Sequence, residues 1–342
     1  MGVSARRQHL IPMMMMEYPG EIFHVRPGDF EPLALSVFRY QSEYNPLYSR
    51  FVDLLGIDRD SVEILGQVPF MPVEFFRRHR VVTGQGKPEV VFTSSGTTGT
   101  VRSNHYLLSS RLYEESFMRT FRLFYGEPSG YIIFALLPSY LEREGSSLVY
   151  MADRLIKETD HSLSGFFLYD QHELKEAIVR ALKTGRRLLL LGVTHALLDL
   201  AEREHPDLSR VVVMETGGMK GMRREPVREE LHAILRRAFG TDSIHSEYGM
   251  TELLSQAYSD GSGVFRCPPW MRVMAGDIND PLAVTDMPGS SGTANIIDLA
   301  NFWSCSFIAT QDLCRIGSDG SFEITGRYDN SDIRGCNLLT LE

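Results

Sequence analysis

The chain has 342 residues, of which 43% are hydrophobic, and its formal charge at pH 7 is −9. This length allows one large compound domain, or two to three subdomains, with a substantial buried core. The negative charge argues against a general nucleic-acid surface, which requires clustered Lys and Arg. The longest apolar runs are far shorter than the about 20 residues that cross a bilayer, so we expect no membrane span.

The chain begins without a sustained apolar region or a secretory cleavage site, which predicts a cytoplasmic protein. Its four cysteines contain no CxxC pair, so the spacing predicts neither a zinc knuckle nor a disulfide framework. We expect Cys267, Cys305 and Cys314 to be reduced and structural. The basic segment Arg77–Arg80 is expected to be a solvated face.

Alternating apolar runs and amphipathic stretches predict the secondary structure in chain order. Residues 1–88 favour helices, and a short β-rich run follows at Glu89–Phe92. Beyond it we predict a helix at Arg111–Phe124, a strand at Tyr131–Leu137, a helix at Leu174–Lys183, a strand at Arg187–Leu191, a helix at His195–Glu204, a strand at Val211–Met214 and a helix at Pro226–Phe239. This order predicts an α/β fold with a largely parallel sheet, whose ligand loops gather at the carboxyl ends of the strands.

The sequence pattern changes after about residue 260, where short β-like segments are separated by Pro, Gly, Asn and Asp. This composition predicts a small, more antiparallel subdomain. The predicted organisation is a mainly helical N-terminal lead-in at 1–88, an α/β core at 89–260, a β-rich subdomain at 261–327 and a short tail at 328–342.

The first chemical motif is the loop Thr93–Thr100, TSSGTTGT, between a predicted strand and a predicted helix. Its hydroxyls and backbone N–H groups can approach phosphate oxygens closely. The glycines Gly96 and Gly99 are too close together for a Walker loop, which needs G-x-x-x-x-G-K-[ST]. Taken alone, the string is equally typical of an ordinary surface turn.

The second motif is Ser246–Glu252, SEYGMTE, which brings an aromatic ring, a hydroxyl and a carboxylate within five residues. Tyr248 can stack against a purine, and Thr251 can hydrogen-bond an α-phosphate. Glu252 can hold Mg²⁺ as a hard oxygen ligand. The alternative is an exposed helix start with a solvated acid.

In this order, the two motifs resemble the adenylate-forming superfamily of acyl-CoA and aryl-CoA synthetases, adenylation domains and firefly-type luciferases. The resemblance extends to Thr216–Gly218, to Asp312 in ATQDL and to Gly326–Arg327. It implies the large-domain fold of that superfamily, with mainly parallel sheet layers, helices and a small β-rich subdomain that completes the nucleotide site. It also implies ATP and Mg²⁺, and it makes the tail at 328–342 a truncated hinge.

Longer strings at 136–151, 191–199, 267–273 and 331–339 look like the LuxE acyl-protein synthetase family. This narrower resemblance runs from about residue 60 to the last residue. It implies activation of a carboxylic acid, expected to be fatty acyl, to an acyl-adenylate with release of pyrophosphate. The acyl group would then pass to a thiol, with Cys336 as the matching candidate, and on to an acyl-accepting protein or reductase subunit. A small buried hydrophobe is the other reading of Cys336.

The resemblance implies three groups of site residues. The catalytic group is Thr97, Thr98, Arg102, Thr251, Glu252 and Cys336, with Glu252 as the metal ligand. The nucleotide-binding group is Ser94, Ser95, Gly96, Gly99, Gly217, Gly218, Tyr248, Gly249, Asp312 and Arg327. The substrate-pocket group is Val193, His195, Leu197 and Met219.

The sequence departs from the superfamily pattern in three places. Arg102 replaces the usual Lys of the phosphate loop, and Gln311 replaces the glycine before Asp312. We expect the small C-terminal domain that ordinarily supplies a Lys in the superfamily to be absent, in which case either the large domain suffices or a partner supplies a lid. Two further functions stay open: transfer of the acyl group to coenzyme A or a carrier protein, and a non-catalytic nucleotide-binding subunit.

Overall fold

The computed structural model describes residues 19–95, 101–138, 145–217 and 228–328. Within these ranges the helices are α1 (Phe30–Tyr44), α2 (Pro46–Leu54), α3 (Phe75–Arg78), α4 (Ser110–Tyr125), α5 (Ser147–Glu158), α6 (Gln171–Ala181), α7 (Thr194–Arg203) and α8 (Arg228–Phe239). The strands are β1 (Met71–Pro72), β2 (Val90–Thr93), β3 (Asn104–Leu107), β4 (Tyr131–Leu136), β5 (Gly165–Phe166), β6 (Arg187–Val193), β7 (Val211–Thr216), β8 (His245–Tyr248), β9 (Ala257–Ser259), β10 (Val264–Phe265), β11 (Met271–Gly276), β12 (Val284–Thr285), β13 (Ser291–Asp298), β14 (Phe307–Ile316) and β15 (Phe322–Arg327). No helix in this part of the chain is long and apolar enough to cross a membrane.

A six-stranded sheet forms the first half of the fold, in the order β5-β4-β6-β7-β8-β9. Its strands are parallel except β9, which runs antiparallel to β8. Every residue of β4 is buried, because helices cover both faces of the sheet. The core on one face includes α4 and α5, and the core on the other includes α6, α7 and α8.

A second, mainly antiparallel sheet follows in the order β10-β15-β14-β13-β11-β12. The short β1 pairs with β14 in parallel, so the N-terminal segment contributes a strand as well as helices. Helix α1 packs on the same sheet: Phe38 meets Phe307 edge to face, and the buried Gln41 amide donates to the carbonyls of Asn301 and Phe302. Residues of the 1–88 segment therefore pack directly against the β-rich segment.

The predicted helices and strands lie where expected, with boundaries that shift by a few residues. The sequence did not predict a strand between the phosphate loop and the helix that follows it. The short strand β3 intervenes and pairs antiparallel with β2 over four residues, from Thr93–Asn104 to Val90–Leu107. The described residues on either side of the loop therefore belong to a pair of antiparallel strands, called here the phosphate-loop hairpin, and helix α4 starts only after β3.

Candidate active site

The base of the phosphate-loop hairpin is closed by two serines. The Ser94 N–H donates to the Ser103 carbonyl at 3.0 Å, and the Ser103 N–H donates to the Ser94 hydroxyl at 2.9 Å. Ser95 is half-buried and Arg102 is exposed. These contacts place the ends of the loop side by side. The remaining predicted loop residues lie outside the described residues: Gly96, Thr97, Thr98 and Gly99.

Glu252, the predicted metal ligand, lies against this hairpin base. Its side chain is only 7% exposed and is hydrogen-bonded to the Ser103 side chain. Burial raises the pKa of Glu252, while the hydrogen bond from Ser103 and the positive charges of Arg77 and Arg327 oppose the rise. The acidic candidate thus lies at the phosphate-loop base, and the charges of two arginines act on it.

The turn that carries Thr251 and Glu252 is held by buried polar side chains. Asp298 accepts hydrogen bonds from the N–H groups of Leu254 and Ser255 at 2.9 and 2.8 Å. The Asn301 amide donates to the Glu252 carbonyl at 2.8 Å. Both side chains are fully buried, so these bonds fix the backbone that follows the Glu252 side chain.

His105 supports the same turn from the phosphate-loop hairpin. Its Nδ1 contacts the Thr251 carbonyl at 2.9 Å, and its Nε2 contacts the Ser304 hydroxyl at 2.9 Å. Burial lowers the pKa of His105 to about 4, with the bond to Thr251 opposing the shift. The ring is therefore neutral at pH 7, and its Nδ1 donates to the carbonyl.

Three predicted nucleotide-binding residues also converge. The Tyr248 hydroxyl donates to Asp312 at 2.8 Å, and Asp312 stands directly opposite Arg327 in the β14–β15 ladder. The Tyr248 ring is 8% exposed and meets Phe265 and Phe322 edge to face. The phenol of Tyr248, from the first sheet, thus meets the carboxylate of Asp312 on the second sheet, and an exposed guanidinium pairs with Asp312 in the same ladder.

The predicted substrate-pocket residues separate into two groups. Val193 is half-buried and pairs in register with Thr216, and the Thr194 hydroxyl donates to the Gly217 carbonyl at 2.6 Å. His195 is half-buried in the first turn of α7. Leu197 is fully buried in the core between α7 and the sheet, against Gly192, so its assignment to the pocket is corrected. Gly218 and Met219 lie outside the described residues.

Two cysteines behave as the sequence predicts. Cys305 and Cys314 are fully buried, and burial raises the pKa of each thiol to about 12. Cys267 is half-buried and free, and burial raises its pKa as well. Such thiols stay protonated at pH 7 and make poor nucleophiles. Cys336 lies outside the described residues.

The structure adds several residues that sequence reasoning missed. Arg77 is exposed, as expected of a solvated face, yet its charge acts on Glu252. Ser103, Asp298 and Asn301 contact the predicted motif from distant parts of the chain. None of them belongs to a recognisable string, so no signal in the sequence could have identified them. No group of three or more His, Cys, Asp or Glu side chains within 19–95, 101–138, 145–217 and 228–328 is arranged to hold a metal ion.

Comparison with solved structures supports this architecture. The ATP-bound chimera RpMatB-BxBclM B3 matches 71% of this chain over 49% of its own length, at 15% sequence identity and a TM-score of 0.52. ATP-bound MatB from Rhodopseudomonas palustris matches with the same coverage and TM-score at 16% identity. The chain thus spans about half the length of the structures that it matches.

Two other comparisons add no relative. No protein-family model matches the chain, and no curated protein matches it. The likeness to solved structures therefore defines the fold. The chain has the large-domain fold of adenylate-forming enzymes, with mixed α/β layers and curled sheets.

Proposed function

We propose that this protein uses ATP to activate a carboxylic acid as an acyl-adenylate and then transfers the acyl group to a thiol. The observation that carries the proposal is the 2.9 Å contact between His105 Nδ1, on the phosphate-loop hairpin, and the carbonyl of Thr251, which joins the hairpin to the turn that carries Glu252. Tyr248 of the first sheet is hydrogen-bonded to Asp312 of the second, and Asp312 stands opposite Arg327. These contacts support a single site that combines hydroxyls, a buried carboxylate and exposed cations.

The charges around Glu252 suit a polyphosphate. Arg77 and Arg327 both act on the Glu252 carboxylate, and Arg102 directly precedes Ser103. All three guanidinium groups are on exposed residues and can contact phosphate oxygens bidentately. Arg77 is therefore a further candidate for binding the phosphates, and it lies outside the recognised motifs.

The residues present also fit Mg²⁺. Mg²⁺ in nucleotide enzymes takes one or two carboxylates, and its other ligands are phosphate oxygens and water. Glu252 supplies a carboxylate that is fixed in position by the turn beneath it. The chemistry that Mg²⁺ supplies when bound is neutralisation of phosphate charge.

The proposed reaction needs positioning more than a general base, because the carboxylic acid is already ionised at neutral pH. A carboxylate oxygen attacks the α-phosphorus, a new phosphorus–oxygen bond forms, and the bond to the β-phosphate breaks. Pyrophosphate leaves with the electron pair. In this scheme Arg77, Arg102 and Arg327 hold the phosphates in line and stabilise the charge that develops on them.

We extend the proposal to the acceptor on the basis of the LuxE-type string around Cys336. A thiolate there would attack the acyl carbonyl, and AMP would leave. Incubation with ATP and a radiolabelled acid should give a covalently labelled protein band that Cys336→Ser abolishes and Cys267→Ser keeps. Transfer to added coenzyme A by Cys336→Ser at the wild-type rate would instead indicate a coenzyme A ligase.

ATP–pyrophosphate exchange across a panel of carboxylic acids tests the activation step. We expect exchange that requires an acid, and we expect Glu252→Gln to lower it by about 100-fold, because an anchored charge is lost. Glu230, an exposed acid on α8, provides the matched control, and Glu230→Gln should exchange at the wild-type rate. ATP binding without exchange for any acid would contradict the proposal and favour a nucleotide-binding subunit.

A further inference from the structure

A row of paired residues crosses the sheet at the carboxyl ends of its parallel strands. Val193 of β6 pairs with Thr216 of β7, Thr216 pairs with Glu247 of β8, and Glu247 pairs with Tyr258 of β9. Residues that stand opposite one another in a sheet point to the same face. The row therefore continues from the predicted substrate-pocket residue Val193 to a buried acid.

Glu247 is fixed within this row. It is 8% exposed, and one of its carboxylate oxygens, Oε2, accepts a hydrogen bond from the Thr216 hydroxyl. Burial raises the pKa of Glu247 to about 7, and the charge of Glu215 adds to the rise. Burial also raises the pKa of Tyr113 and of Tyr258, and in both the charge of Glu247 contributes. The carboxyl group thus faces an aromatic environment.

Gln256 stands beside this carboxyl group. It directly precedes β9, next to the Tyr248–Ala257 pair that ends the ladder. Gln256 is 3% exposed, and its Oε1 has no hydrogen-bond partner among the described residues. Oε1 of Glu247 and Cγ of Gln256 both lie within 3.4 Å of the point that a Cβ on Gly249 would occupy. Gly249 lets the two polar groups approach each other.

This arrangement requires a donor. A buried amide oxygen without a partner costs about 1–3 kcal/mol, and a carboxylate is also an acceptor. Thr216 satisfies one oxygen of Glu247 with its hydroxyl, which leaves the Gln256 oxygen to be satisfied. When Glu247 is ionised it has no proton to donate, and an O–H or N–H group of a bound ligand would then satisfy the Gln256 oxygen.

We infer that Glu247 and Gln256 form the specificity subsite for the acyl part of the substrate, and that the acid carries a hydroxyl or amino group. The inference rests on the proposed activation of a carboxylic acid, and it replaces the expected plain fatty acid with a donor-bearing one. Tyr248, the next residue along, is hydrogen-bonded to Asp312 on the nucleotide side. The Tyr248 backbone thus separates the proposed acyl subsite from the nucleotide site.

Matched acids provide the test. The probes are benzoate, phenylacetate, hexanoate and octanoate, each compared with derivatives that carry a single hydroxyl or amino group at each position. Isothermal titration calorimetry measures their binding to the full chain, independently of turnover. A site built to bind a donor discriminates strongly against the analogue that lacks it, so at least one derivative should bind about 10-fold or more tightly than its parent.

Variants test whether Gln256 and Glu247 cause the preference for a hydroxyl or amino group. Gln256→Met keeps the side-chain size and removes the acceptor. The derivative and its parent acid should then bind this variant with affinities within about 2-fold of each other. Gln85, an exposed residue far from the row in sequence, gives the matched control, and Gln85→Met should keep the wild-type ratio. Glu247→Gln separates the two ligand types, because loss of the charge weakens an amino derivative more than a hydroxyl derivative.

The outcomes distinguish this inference from the proposed function. Equal binding of parents and derivatives, binding of none of them, or a preference that persists in a folded Gln256→Met would overturn the subsite. A Gln256-dependent preference without pyrophosphate exchange would support the subsite and contradict acid activation. Exchange with a parent acid as efficient as with every derivative would contradict the subsite and support activation.

Discussion

Asp298 should determine how firmly the candidate metal ligand is held. Its Oδ2 accepts from Leu254 N–H and Ser255 N–H at 2.9 and 2.8 Å. Its Oδ1 accepts from the Ser255 hydroxyl at 2.6 Å and from Ala300 N–H at 3.1 Å. Asp298→Asn keeps the shape but converts one oxygen into an NH₂ group, which must face two of these donors.

The cost follows from the two donors that lose their acceptor. Each buried unsatisfied donor costs about 1–3 kcal/mol, so Asp298→Asn should lower the free energy of unfolding by about 2–6 kcal/mol. This loss is a large part of the about 5–15 kcal/mol that stabilises a typical domain. The variant that remains folded should also exchange pyrophosphate more slowly, because Glu252 and Thr251 belong to the loosened turn.

Urea unfolding followed by tryptophan fluorescence measures this cost. The Trp270 indole N–H donates to the Ser255 hydroxyl at 3.0 Å, so its emission reports on the same network. Asp242 is exposed, and Asp242→Asn should change the free energy of unfolding by less than about 0.5 kcal/mol. A loss below about 1 kcal/mol in Asp298→Asn, with an unchanged urea slope, would refute the assigned network.

Three further predictions concern neighbouring parts of the site. Arg77→Ala should lower kcat/KM for pyrophosphate exchange by about 10-fold, because a cation that acts on the phosphates is lost. The control Arg78→Ala should keep kcat/KM within about 2-fold of the wild-type value. Equal effects of the two substitutions would exclude a specific role for Arg77. Burial raises the pKa of Glu247, so the folded state binds this proton more tightly than the unfolded state does. As the pH rises from 4.5 to about 7, the free energy of unfolding of the wild type should therefore fall by up to about 3 kcal/mol relative to that of Glu247→Gln. Urea unfolding that shows the same change with pH in both proteins would contradict this. The added methyl group of Gly249→Ala should displace Glu247, because a Cβ at this position would collide with Glu247 Oε1. In steady-state kinetics, KM for the acid should rise while KM for ATP changes little. A rise in KM for ATP alone would place Glu247 at the nucleotide.

Much of the fold could be predicted from periodicity, for a physical reason. A strand such as β4 is buried on both faces and therefore forms a continuous apolar run, while the helices beside it show a clear polar face. Strand β3 was missed because it has only four residues and starts next to a loop rich in Ser, Thr and Gly. Its pairing with β2 depends on the hairpin, which periodicity over so short a segment does not reveal.

The site was predictable only where a motif carries it. Tyr248, Glu252 and Asp312 were selected by resemblance, and they lie near one another in the fold. Asp298 looks in sequence like a turn residue, because its role depends on backbone donors more than forty residues away in the chain. Gln256 becomes meaningful only when the antiparallel pairing of β8 and β9 places it beside Glu247.

Isotope transfer from the acid to AMP tests adenylation most directly. The full chain is incubated with ATP and a carboxylic acid labelled with ¹⁸O in both carboxylate oxygens, and the nucleotide products are analysed by mass spectrometry. If a carboxylate oxygen attacks the α-phosphorus, AMP released by acyl transfer gains one ¹⁸O atom. Unlabelled AMP, or label in inorganic phosphate together with ADP, would contradict acyl-adenylate formation.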